Sequence, residues 1–160
     1  MECVRCSATK TNGRRCTRTT CIYPGLCWQH FRAKNGLKLA PSQILNSGLG
    51  LFTTRPFQPY RKIADYTGEI WNDVDWANNP SDYGIQYDED HTLDARSTQD
   101  GIARYANECR AENRQAGQCR GNNAQLRRTR QNSLILESRG SRIPANREIF
   151  TAYGDRYWDG

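Results

Sequence analysis

Five cysteines and a histidine crowd into the opening stretch MECVRCSATKTNGRRCTRTTCIYPGLCWQH, which otherwise holds almost nothing to build an apolar core. A segment this polar and this short folds only when it is stapled. The chain opens without an apolar run of the kind a secretory signal needs, so the expectation is an intracellular, reducing setting. Disulfides are disfavoured there, and metal becomes the expected staple. The candidate ligands are Cys3, Cys6, Cys16, Cys21, Cys27 and His30. Zinc takes four, placed tetrahedrally. In CWQH, Cys27 and His30 are separated by two residues, so one tight turn can present both to one ion. Cys6 and Cys16 flank a turn at Gly13. Two sets of four remain open: Cys6, Cys16, Cys27 and His30, or the knuckle-spaced pair Cys3 and Cys6 with Cys27 and His30. Free thiols or a set of disulfides is the plainer reading, and the C-x-x-H pair argues against it. Four protein ligands leave no position for a reacting water, so such a zinc is structural.

The stretch FRAKNGLKLAPS at 31–42 reads as a linker with a short helix, ended by Pro41. From about Gln43 the pattern changes to short alternating or apolar runs, among them GLGLFTT, RKIADYTGEI, HTLDARS, NSLILES and EIFTAY. Gly, Pro, Asn and Asp punctuate them. This predicts a mainly β, α+β domain of many short strands, with a helical turn or so in DGIARYANECRAENRQ. The organisation expected is a cysteine-rich module at 1–32, a linker at 33–42 and a main domain at 43–160.

Of the 160 residues 36% are hydrophobic, and no apolar run approaches the roughly 20 residues that cross a bilayer. The net charge of +6 favours contact with polyanions or acidic surfaces. The basic residues are spread over NGRRC, QLRRTR and SRGSR, which fits either a solvated surface or a weak nucleic-acid contact. The acidic residues are denser between Asp73 and Asp90.

Two resemblances sharpen this. Cys6, Ala8, Gly13, Cys16, Cys27, Trp28 and His30 match a small zinc-binding motif, C-x-A-x-T-x-x-G-x-x-C followed by C-W-x-H. It implies Cys6, Cys16, Cys27 and His30 as ligands and leaves Cys3 and Cys21 spare. Further on, Gly48-Leu49-Gly50-Leu51, Tyr66-Thr67-Gly68-Glu69, Asp94-Ala95 with Arg104-Tyr105-Ala106-Asn107, and Glu148-Ile149 with Tyr153-Gly154 follow one another in order. Together they resemble the SET domain of protein lysine methyltransferases, over about residues 43–158. The short ending YGDRYW resembles that of compact viral members.

The resemblance implies a fold of several small sheets closed by a pseudoknot. It also implies methyl transfer from S-adenosylmethionine to a protein lysine. Gly48, Leu49 and Gly50 would bring backbone close to the cofactor, and Asn107, with Glu108 beside it, would bind it. Tyr153 would stand at the end of the lysine channel, near the transferring methyl, and Tyr66 would line that channel. Tyr157 and Trp158 would pack on the adenine or close the channel. Glu69 and Glu148 read as structural hydrogen-bonding groups, and His91 as surface. Leu126 and Thr151 stand where relatives carry an aromatic, which implies room for more than one methyl.

The sequence departs from the family at Glu108-Cys109, where His-Ser is usual. It also inserts ECRAENRQAGQCRG before Asn122 and lacks a cysteine-rich tail. The substrate class implied is a lysine-rich protein segment, with a histone tail foremost and a nuclear or chromatin setting. Asp73, Asp75, Asp82, Asp88, Glu89 and Asp90 are the candidate docking rim. The alternatives are a methyltransferase for a non-histone protein, or a non-catalytic module of this type that binds peptide or nucleic acid.

Overall fold

A computed structural model describes residues 1–153 of the chain. Gly154, Tyr157 and Trp158 lie outside the described residues. The strands are β1 (Val4–Arg5), β2 (Thr19–Thr20), β3 (Leu37–Pro41), β4 (Leu49–Thr53), β5 (Lys62–Tyr66), β6 (Glu69–Asn72), β7 (Gly84–Gln86), β8 (His91–Asp94), β9 (Ala124–Arg128) and β10 (Leu134–Ser138). Three short helices are α1 (Trp28–Asn35), α2 (Asp73–Asn78) and α3 (Ala111–Gln115), with a 3-10 turn at Ala103–Tyr105. The strands form four small antiparallel sheets: β1-β2, β3-β4, β5-β10-β9 and β6-β8-β7. The architecture is mainly β, as the short punctuated runs predict.

The central strand β10 shows why the runs read as they do. All five of its residues are buried, because β5 and β9 flank it on both edges. Its one acid, Glu137, survives burial because Gln125 Nε2 and Arg127 Nε donate to its carboxylate at 3.1 and 2.9 Å. The main core gathers Leu37, Leu51, Leu136, Ile143 and Ile149, all at 0–2% exposure.

Residues 147–151 thread through the middle of the molecule. Thr53 N–H donates to the Arg147 carbonyl, and Ile149 N–H donates to Leu51. Thr151 N–H donates to Asn107, and the Asn123 and Ala124 amides donate to Phe150. One short segment thereby joins β4, the chain at Asn107 and the start of β9.

The stretch 33–42, expected as a linker, carries regular structure: the end of α1, then β3 paired along its length with β4. Gly36 makes the turn between them at φ 68, a left-handed conformation suited to glycine. The cysteine-rich segment is tied into the same body. Tyr23 and Phe31 meet at 5.2 Å and belong to the main core with Leu37 and Leu51. Tyr23 accepts the Leu39 N–H at 2.7 Å, and Gln99 accepts the Gly25 N–H at 2.9 Å.

The expectation of reduced thiols is corrected. Cys3 is bonded to Cys21 and Cys109 to Cys119. The first pair follows from the β1-β2 register: Val4 opposes Thr20, so the residues just outside that pair, Cys3 and Cys21, face each other. The second closes the inserted segment, whose α3 folds back so that Cys109 and Cys119 pack with Ile44 and Phe150 in a small core of their own.

Candidate functional site

The candidate metal centre is assembled from two local devices. A hairpin carries Cys6 and Cys16: Cys16 N–H donates to Ala8, Lys10 N–H donates to Arg14, Thr9 bridges Arg15, and Gly13 turns the chain at φ 80. Helix α1 supplies the other pair, with Cys27 at its N-cap and His30 in its first turn, on one face of the helix. The three sulfurs and a ring nitrogen of His30 lie within 4.8 Å of one another, and the three cysteines are 0–2% exposed. His30 Nδ1 is 3.5 Å from Cys6 Sγ and 3.1 Å from Cys27 Sγ. A tetrahedral zinc ion, with bonds of about 2.3 Å to sulfur and about 2.0 Å to nitrogen, sets its ligand atoms roughly 3.5 Å apart. The donor set and its spacing therefore fit zinc, and the cluster can hold such a metal. Burial pushes the Cys27 thiol up. The His30 amide, the Cys6 thiol, the His30 ring and Arg18 outweigh that and bring it down to about 6, toward the thiolate a metal needs. Of the two ligand sets left open by the sequence, the cluster is the one without Cys3, which is committed to Cys21.

A second site forms where the other motifs meet. Ser47, Gly48 and Leu49, at the entry to β4, line a cavity of about 370 Å³ with Tyr83, Arg104, Tyr105 and Asn107. That volume lies within the range of small-molecule sites. Asn107 Nδ2 donates to the Leu49 carbonyl at 3.1 Å and lies 3.4 Å from Glu148 Oε1. Arg104 is buried, donates through Nε to the Ala95 carbonyl at 2.7 Å, and stacks 3.7 Å from the centre of the Tyr83 ring. Burial pushes the Tyr105 hydroxyl up, against the pull of Arg104. The Tyr66 hydroxyl donates to the Tyr83 carbonyl at 3.2 Å, so Tyr66 touches the cavity wall from behind and is itself 2% exposed. The Tyr153 hydroxyl donates to the Ala106 carbonyl, beside Asn107. Glu108 is half-buried next in the chain and does not line the cavity. Among the described residues, the Thr151 hydroxyl is fully buried and finds no partner.

The two glycines have separate causes. Gly48 sits at φ 64 with open space where a Cβ would stand. Gly50 lacks a side chain because any Cβ would overlap the Glu148 carboxylate. That carboxylate is a structural clamp, as expected: it accepts from Ser42 Oγ at 2.6 Å and the Gln43 N–H at 2.7 Å. Glu69 lies exposed at the start of β6. Gly68 is required by the Asp94 carbonyl, which a Cβ would overlap.

Sequence reading missed three things. Asp94 is wholly buried and accepts from Ser81, Trp76 and Arg96 at 2.6, 2.8 and 2.6 Å. Burial pushes its carboxyl up, and these donors hold it below its ordinary range. The stacking of Arg104 on Tyr83 has no signal in sequence spacing. The tie from Gln99 to Gly25 spans the two segments and has none either. The acidic residues do gather around the β6-β8-β7 sheet: the Asp73 N–H donates to the Asp90 carbonyl, and Asp88 holds His91 at 2.7 Å, half-exposed. Among the described residues, no helix is long and apolar enough to cross a membrane. No family model and no curated protein matches the chain.

Proposed function

We propose that the chain is a SET-type protein-lysine N-methyltransferase that uses S-adenosylmethionine, with a histone tail as the favoured substrate class and chromatin as its setting. One observation carries the reading. Four motifs far apart in sequence, at Gly48, Tyr66, Arg104–Asn107 and Glu148–Tyr153, contribute to the walls or the backing of a single cavity. The threading of residues 147–151 past Asn107 and Ala124 is what a pseudoknot of this family would require.

When bound, S-adenosylmethionine would supply a sulfonium methyl, the N–C bond forming to a neutral amine as the C–S bond breaks and the neutral thioether leaves with its electron pair. The chain's own residues have the remaining tasks. A lysine in water holds its proton to a pKa near 10.4. The apolar flank of the site, with Tyr66, Ile102 and Tyr105 buried, disfavours the charged amine and favours the neutral nucleophile. Asn107 and the backbone at Gly48 and Leu49 orient the cofactor. Tyr153 aligns the amine, since alignment is most of the catalysis such a displacement needs. The acids around Asp73 and Asp88 give a lysine-rich segment a docking rim. Zinc stays structural.

Calorimetric titration with S-adenosylmethionine tests this. Micromolar binding, abolished in Asn107→Ala at unchanged zinc content, is the expected result. A folded protein that binds none overturns it. Tyr153→Phe then separates enzyme from binding module. Turnover on histone peptides should collapse in the variant, whereas a module would keep its peptide affinity.

A further inference from the structure

A second and larger cavity, about 1300 Å³, opens between the 117–123 segment and the 139–144 segment and shares no lining residue with the first. Four arginines line it: Arg120, Arg139, Arg142 and Arg147, all exposed. Its one acid, Glu148, has its carboxylate occupied by Ser42 and Gln43. None of the four arginines makes an ion pair among the described residues. Guanidinium groups stay charged at any physiological pH and present planar forks that match phosphate oxygens. Four uncompensated forks around one cleft form a site for an anion with several phosphates.

The character of the lining narrows the ligand. Cys119, Ile143 and Phe150 are buried beneath the surface, and of the other apolar lining only Pro144 is exposed, so the cleft offers a peptide no large apolar anchor. Phe150, the aromatic residue of the lining, is 4% exposed and presents no face on which an unpaired base could stack. We propose that this cleft binds the phosphate backbone of duplex nucleic acid, without reading its bases. The chain-wide charge of +6 extends the attraction beyond the cleft and speeds encounter. This binding is independent of methyl transfer.

Fluorescence anisotropy with a labelled DNA duplex of about 20 base pairs, read from roughly 50 to 200 mM salt, tests it on the whole protein. With all four arginines engaged, log K should fall against log salt with a slope of about −3 to −4. Arg142→Ala with Arg147→Ala should bring the slope down by about 2. Arg142→Lys with Arg147→Lys, which keeps the charge, should restore it. Arg14→Ala with Arg130→Ala, in basic stretches outside the cleft, should leave it unchanged. An unchanged melting temperature and zinc content keep the comparison on binding. A wild-type slope in the Arg142/Arg147 alanine pair, no restoration by lysine, or displacement of the duplex by poly-glutamate at equal concentration would each overturn the proposal.

Discussion

At the scale of the residue, Gly50 shows how a motif glycine can serve the fold. Its missing side chain makes room for the Glu148 carboxylate, which in turn holds Ser42 and Gln43. Gly50→Ala should therefore lower unfolding stability by about 1–3 kcal/mol in urea titration, with or without S-adenosylmethionine. A variant as stable as the wild type would show that the close approach is unimportant to the fold. Asp94 is the second case. Its carboxyl is held below the ordinary carboxylate range, so the stability it contributes is present above about pH 3.9 and is lost as pH falls through the lower folded value. Asp94→Asn should cost about 1.5–3 kcal/mol at neutral pH and flatten the acid limb of a stability–pH curve below about pH 4. An acid limb identical to the wild type would place the effect elsewhere. Neither role was legible from spacing. Asp94 reads as part of an Asp-Ala motif, and Arg96 is two residues on, but Trp76 and Ser81 reach it only through the packing of α2 and the segment after it against β8.

At the scale of the element, the hairpin at 6–16 and the start of α1 bring together four ligands that can hold one metal ion. Purified protein should carry about one zinc per chain by elemental analysis, because the four ligands close one tetrahedral site. A folded protein with none would end the zinc reading. The disulfide between Cys109 and Cys119 closes a short loop around α3, and its removal should cost about 2–3 kcal/mol by loop-closure entropy. Denaturant titration of Cys109→Ser with Cys119→Ser measures this, and an unchanged midpoint would show that the packing of Ile44 and Phe150 alone holds the loop. Ligand identity was largely legible at this scale, since C-x-x-H on a helix start and a ten-residue hairpin spacing are local patterns. Disulfide pairing was not. Cys3 and Cys21 meet through strand register, and no count of residues supplies register.

At the scale of the whole molecule, the cysteine-rich segment and the strand-rich body share a core. Tyr23 and Phe31 lie in one cluster with Leu37, Leu51 and Ile149. Chelation should therefore destabilise the entire described chain, with the far-ultraviolet and aromatic signals melting together at a lower temperature. Two separate transitions, the second at the wild-type temperature, would show that the segment folds as an independent module. The molecule also separates two opposite fields. Acids collect around the β6-β8-β7 sheet, and the four arginines line the cleft at 117–123 and 139–144. On the proposed readings, a basic tail and a nucleic-acid backbone would meet different residues.

The sequence by itself determined that the chain is mainly β, with short strands punctuated by turn residues, and it narrowed the candidate metal ligands to two sets of four that share Cys6, Cys27 and His30. These are local properties: period, punctuation and ligand spacing act over a few residues. Tertiary structure alone decided that Leu37–Pro41, within the stretch expected as a linker, forms strand β3, because it gains its partner only from β4. It decided the two disulfides, the stacking of Arg104 on Tyr83, and the meeting of four arginines from separate segments. Each of these depends on which distant segments pack side by side, and that choice is made by burial of the shared core around Leu51, Leu136 and Ile149.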